Sequence, residues 1–203
     1  NGEHAQRDGF VVANNSKLII KPNRGVKNVG VGSVFGTPTP FAVMAAGNSK
    51  VIASGGIFTG SSIGIASIYG SDVLVNGADV SNTIFHPALI VGGSRLLGRE
   101  ANMSNGGWDG VKVMGNSMAD LIDANVSNSG GDGLFVESSF VNAAGADFSY
   151  SSNRGVVSIA SSFVNANGAD ARVDDTGDNP DDLVVSVGGI ISAHEALGGT
   201  NIT

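Results

Sequence analysis

Four residues at near-regular intervals carry side chains suited to acid–base chemistry: His86, Asp109, Asp132 and Arg154. Two carboxylates held close together can divide into an acid and a base, because each raises the other's pKa. A separation of about 5–5.5 Å suits retaining glycoside hydrolysis, and a wider one suits inversion. His86 is placed to shuttle a proton, and Arg154 to clamp a substrate carboxylate. Trp108, the single tryptophan, precedes Asp109 and offers a face for a sugar ring, with Lys112 just beyond. Asp-Gly at 109–110 and 132–133 is also ordinary turn chemistry, so these residues have a purely structural reading as well. A second set, Arg99, Glu100, Asp120 and Asp123, repeats the theme of carboxylates beside a cation. Solvated charges that discourage edge association account for it equally well.

These residues come into line only if the chain is periodic. VNAAGAD at 141–147 returns as VNANGAD at 164–170, and ANMSNGGWDGVKVMGNS at 101–117 returns as ANVSNSGGDGLFVESS at 124–139. Ala78, Ala101, Ala124, Ala146 and Ala169 mark one register, with Ser81, Ser104, Ser127 and Ser149 three residues behind. The period is 22–23 residues. Each unit reads as a short apolar strand, a turn, a second strand and a polar turn, and a third short strand is expected near VSN and FSYS. Short strands with Gly, Asn and Ser turns at this period predict a β-solenoid. Helical repeats require helix formers that are sparse here. The expected fold is all-β: a single-stranded right-handed parallel β-helix of about eight coils, forming one domain over residues 1–203. Inward ladders are predicted at Val73, Leu96, Ala119, Val141 and Val164, and at Val75, Gly98, Leu121, Ala143 and Ala166. The register also aligns Asp8, Pro40 and Asp182 with the His86–Arg154 column, and Glu100 with Asp123.

Composition sets the remaining bounds. The chain has 203 residues, no Cys, and a net charge of −7. Residues 1–50 hold six basic residues against two acidic ones, and residues 101–203 hold three against thirteen. The basic set Lys17, Lys21, Arg24 and Lys27 could meet an acidic polymer. Nucleic acid is not an expected partner, because the total charge is negative and no base-stacking aromatics accompany the lysines. No apolar run is long enough to span a membrane as a helix. No cofactor is expected; Ca²⁺ at Asp174, Asp175 and Asp178 is the one metal worth naming, on hard oxygen ligands alone. The first residue is Asn1, which suggests a fragment of a longer chain or a processed product.

The coils GGDGLFVESSFVNAAGAD and NRGVVSIASSFVNANGAD resemble the β-helix of bacteriophage tailspikes, within the pectin-lyase-like superfamily. The resemblance is architectural and covers roughly residues 5–196, without a catalytic motif. It implies a homotrimeric virion tail protein that binds a bacterial surface polysaccharide, capsule or O-antigen, and often depolymerises it by hydrolysis or β-elimination. The residues expected to serve are Asp109, Asp132 and His86 in catalysis, and Trp108, Arg154, Lys112, Arg99, Glu100 and Asp123 in substrate binding. The alternative is a non-catalytic structural or adhesive solenoid: a spike shaft, a bacterial surface or secreted adhesin, or a receptor-binding segment.

Overall fold

The computed structural model describes residues 2–3, 9–27, 41–173, 181–195 and 200–202. Asp8, Pro40 and the proposed calcium ligands Asp174, Asp175 and Asp178 lie outside the described residues. The described chain is a parallel β-solenoid without a helix.

Each coil contributes one strand to a nine-stranded parallel sheet and one to an eight-stranded parallel sheet. The larger sheet includes Ala88–Val91, Val111–Met114, Leu134–Glu137 and Arg154–Ile159. The smaller includes Arg95–Leu97, Met118–Asp120, Phe140–Asn142 and Phe163–Asn165. The third face, expected as short strands, is thinner than that. It is a ladder of single parallel bridges through Ile57, Asp79, Asn102, Asn125, Asp147 and Asp170. Those six rungs are spaced 22 or 23 residues apart, so the regular part of the solenoid amounts to about six turns and the outer coils are less regular.

The core is built of stacked ladders, among them Ala88, Val111, Leu134 and Val156 with Ile90, Val113 and Val136 on the larger sheet. Val73, Leu96, Ala119, Val141 and Val164 are buried in register on the smaller sheet, as expected. Val75, Leu121, Ala143 and Ala166 form a further buried set. Phe58, Val80, Met103, Val126, Phe148 and Ala171 form another, beneath the bridge ladder. Fully burying a Val or Leu contributes about 1.5–3 kcal/mol, and a narrow interior sets how large each neighbour can be. Gly98 shows the constraint: a Cβ there would lie 2.8 Å from Met103 Cε, so the glycine makes room for the methionine.

A buried serine ladder stitches the corner between the sheets. The amides of Ser49, Ser71, Ser94 and Ser117 donate to the Oγ atoms of Ser71, Ser94, Ser117 and Ser139 on the next coil, at 3.1–3.3 Å. The Ser94 and Ser117 hydroxyls in turn donate to the carbonyls of Val91 and Met114. Buried amides therefore find acceptors where the chain leaves one sheet before entering the other.

Candidate functional site: the His86–Arg154 column

The register of the nine-stranded sheet brings His86, Asp109, Asp132 and Arg154 into one column. Ala88, Val111, Leu134 and Val156 pair in succession, and the four residues each precede them by two. The column continues through Asp181, which pairs with Arg154. Asp182 was expected in that place and is one residue out of register; its Oδ1 instead accepts from the Val173 amide at 3.1 Å.

The two carboxylates each hold a cation. Asp132 is only 2% exposed. Arg154 meets it in a fork, Nε to Oδ1 at 2.8 Å and Nη2 to Oδ2 at 2.7 Å, and Asn153 adds an amide donor to Oδ1 at 2.7 Å. Burial raises the Asp132 pKa above its ordinary value; the Arg154 hydrogen bonds and charge oppose that without cancelling it. Asp109 accepts Lys112 Nζ on Oδ2 at 3.2 Å and the Asp132 amide on Oδ1 at 3.2 Å. The Lys112 ammonium also lies 4.6 Å from the centre of the Phe135 ring, a cation–π contact.

His86 is 8% exposed, and its Nδ1 lies 2.9 Å from the Asp109 carbonyl oxygen. A carbonyl only accepts, so Nδ1 carries the hydrogen and Nε2 the basic lone pair. Burial lowers the His86 pKa, which the Asp109 hydrogen bond and charge only partly offset. The imidazole is therefore neutral at pH 7. Trp108 stands beside it, 57% exposed, edge-on to Phe85 at 4.8 Å and to His86 at 5.9 Å. The column thus presents an exposed indole flanked by compensated charges. Asn153 and Phe85 are the members that residue spacing did not single out. Their signal was adjacency, since each sits one residue before a column position.

The second set forms differently from its sequence pattern. Glu100 and Asp123 occupy equivalent places on adjacent coils, as the register required, and both are exposed. Both adopt left-handed backbone, φ 55°, at a position where Gly77, Gly145 and Gly168 stand on other coils. Arg99 pairs with neither of them. Its Nε and Nη2 both meet Asp120 Oδ2, at 2.8 and 2.6 Å. The other Asp120 oxygen is buried and has no hydrogen-bond partner among the described residues. Lys17 and Lys50 stack directly in register at the basic end.

No protein-family model matches this chain, and no curated protein matches it. Among solved structures it is similar to QnrB1, a plasmid-mediated fluoroquinolone resistance protein. The identity is 12% and the TM-score 0.31, over 97% of this chain and 91% of that one. It is also similar to HetL, a pentapeptide repeat protein involved in heterocyst differentiation regulation from the cyanobacterium Nostoc sp. strain PCC 7120. There the identity is 11% and the TM-score 0.20, over 97% and 88% of the two chains. The tailspike resemblance rests on the coil sequences alone. What is established is the parallel β-solenoid.

Proposed function

We propose that this chain is a polysaccharide-recognition segment of the phage-tailspike kind, binding bacterial capsule or O-antigen as part of a homotrimer on a virion tail. The observation that supports binding is the exposed Trp108, held edge-on by Phe85 beside the Asp109–Lys112 pair. An indole presenting apolar surface next to fixed polar groups suits a sugar ring. Hydrolysis by Asp109 and Asp132 is the weaker part of the reading, because Asp132 is buried under the Arg154 fork and is not free to reach a glycosidic oxygen. The non-catalytic alternative, an adhesive or shaft solenoid, gains from the same contact.

β-Elimination from a uronic acid has its own support. It requires a neutral base and cations near the substrate carboxylate. Neutral His86 is the candidate base, and the cations are Arg154, in its column and paired to Asp132, and Lys112, on the neighbouring strand and paired to Asp109.

The test is a panel of capsular and O-antigen polysaccharides incubated with the chain. Indole fluorescence, new reducing ends and ultraviolet absorbance of unsaturated uronate are followed together. A fluorescence change without new ends is the expected result and means binding alone. New ends with absorbance assign a lyase and His86; new ends without it assign a hydrolase and the aspartates. A folded chain that changes none of the three readouts across the panel rejects recognition at Trp108.

A further inference from the structure

The outer face of the eight-stranded sheet changes character halfway along. The first position of its strands runs Lys17, Lys50, Asp72 and Arg95, then Met118, Phe140, Phe163 and Ile190. The third position does the reverse: Ile19, Ile52, Leu74 and Leu97, then Asp120, Asn142, Asn165 and Ser192. The apolar strip therefore steps sideways, toward the corner that joins the sheets. Phe140 and Phe163 stack there with centroids 5.3 Å apart and planes 6° from parallel. Phe140 remains 41% exposed, and Met118 is also exposed.

The corner turn beside this strip takes left-handed backbone, as the same corner does on the other coils. The Arg95 coil turns through Gly92 and Gly93, the Asp72 coil through Tyr69 (φ 53°) and Gly70, and the Met118 coil through Gly115 and Asn116 (φ 61°). The coils beside the phenylalanines turn through Ser138 (φ 47°), then Ala160 (φ 52°) and Ser161 (φ 62°). Between turn and strip lies a groove with Asn116, Ser138 and Ser161 on one side and Met118, Phe140 and Phe163 on the other. Among the described residues, the Asn116 amide and the Ser161 hydroxyl make no side-chain hydrogen bond. None of these six residues is charged.

We infer that this groove is a second binding site, for a neutral glycan chain lying along the solenoid axis. The inference rests on the polysaccharide reading above but places a contact on a different face. Aromatic edges and a thioether suit the C–H surface of a pyranose, and the free amide and hydroxyl suit its ring hydroxyls. Coils repeat about every 4.8 Å, a spacing comparable to one sugar ring, so successive sugars meet successive coils. The absence of charge favours a neutral polymer over an acidic one.

The probe is a set of neutral O-antigen polysaccharides, with a uronic-acid capsule polymer for comparison. Binding is measured on immobilised polymer, and the indole, present only at Trp108, reports the other face. The double variant Phe140→Asn, Phe163→Asn is expected to weaken neutral-polymer binding about tenfold. Ser161→Gly suits the left-handed turn, so the fold is preserved; loss of its hydroxyl should weaken binding about threefold. Circular dichroism verifies both folds. Neutral polymers that bind without changing indole fluorescence, and bind less to both variants, support the groove. Normal binding by both variants alongside loss in Trp108→Ala overturns the groove and leaves the polysaccharide reading standing. Preference for the acidic polymer overturns it as well. So does a smaller sedimenting species in the double variant, which would assign the strip to a contact between copies. No binding by the folded wild-type chain to any polymer removes the parent reading and this inference together.

Discussion

Arg154 holds the carboxylate of Asp132 across adjacent coils through two separate nitrogen–oxygen contacts, at 2.8 and 2.7 Å, with the carboxylate almost wholly buried. Such a fork is strong because both bonds are charge-assisted and their geometry is fixed. It also ties the coil ending at Asp132 to the one that begins the Arg154–Ile159 strand.

Removing one partner leaves a buried charge unpaired. Arg154→Ala is expected to destabilise the chain by about 3 kcal/mol at pH 7. Asp132→Asn in the same chain should recover much of that loss. Urea denaturation of the wild type, both single variants and the double variant measures the coupling. Additive losses would show that the fork is not a coupled pair.

The pH dependence of stability has two components of opposite sign. Asp132 has a folded pKa raised above 3.8, so the folded chain holds its proton more tightly than the unfolded chain. Stability from this group falls as pH rises through the window from 3.8 to the folded value. His86 has a folded pKa lowered below 6.5. Its contribution is present above pH 6.5 and is lost as pH falls toward the folded value, because the unfolded chain takes the proton first. His86→Gln should flatten the loss just below pH 6.5 and leave the Asp132 component unchanged. Denaturation midpoints between pH 4 and 8 separate the two.

The serine ladder gives a third expectation. Ser117 accepts the Ser94 amide at 3.2 Å and donates to the Met114 carbonyl at 2.7 Å. Ser117→Ala leaves the buried Ser94 amide without its acceptor, while the Met114 carbonyl keeps the Gly92 amide, at a cost of about 1–3 kcal/mol. An exposed control such as Ser152→Ala should change stability by less than about 0.5 kcal/mol. Equal effects in thermal unfolding would mean that the ladder contributes nothing specific.

Backbone contact between coils supplies a fourth. A Cβ at Gly155 would lie 2.0 Å from the Ala171 carbonyl oxygen and 2.6 Å from that of Asp182. Both obstacles are backbone, so Gly155→Ala is expected to destabilise by about 3 kcal/mol. Glu100→Gly should go the other way by about 1 kcal/mol, since it relieves a left-handed glutamate. Urea midpoints of the two variants should move in opposite directions.

The sequence by itself determined the solenoid, its period, the inward ladder on the smaller sheet with the one just beyond its strands, and the alignment of His86, Asp109, Asp132 and Arg154. The physical reason is that stacked coils put equivalent residues next to one another, so repetition in sequence becomes adjacency in space. The third face and the last position of the column were less legible. Its rungs are single bridges, too short to leave an alternating pattern. The acidic insertion at 174–182 broke the count and displaced Asp182 by one residue. Only the tertiary structure decided the state of the site residues. Spacing says that two carboxylates are neighbours; it does not say that Asp132 is buried, that Arg154 forks onto it, or that Arg99 reaches back to Asp120. Those outcomes depend on rotamers and solvent exclusion, which follow from packing between coils many residues apart. The stacked phenylalanines belong to the same class. FVN occurs twice in the sequence, but only the stacking of those two coils turns the repeat into a partly exposed aromatic wall.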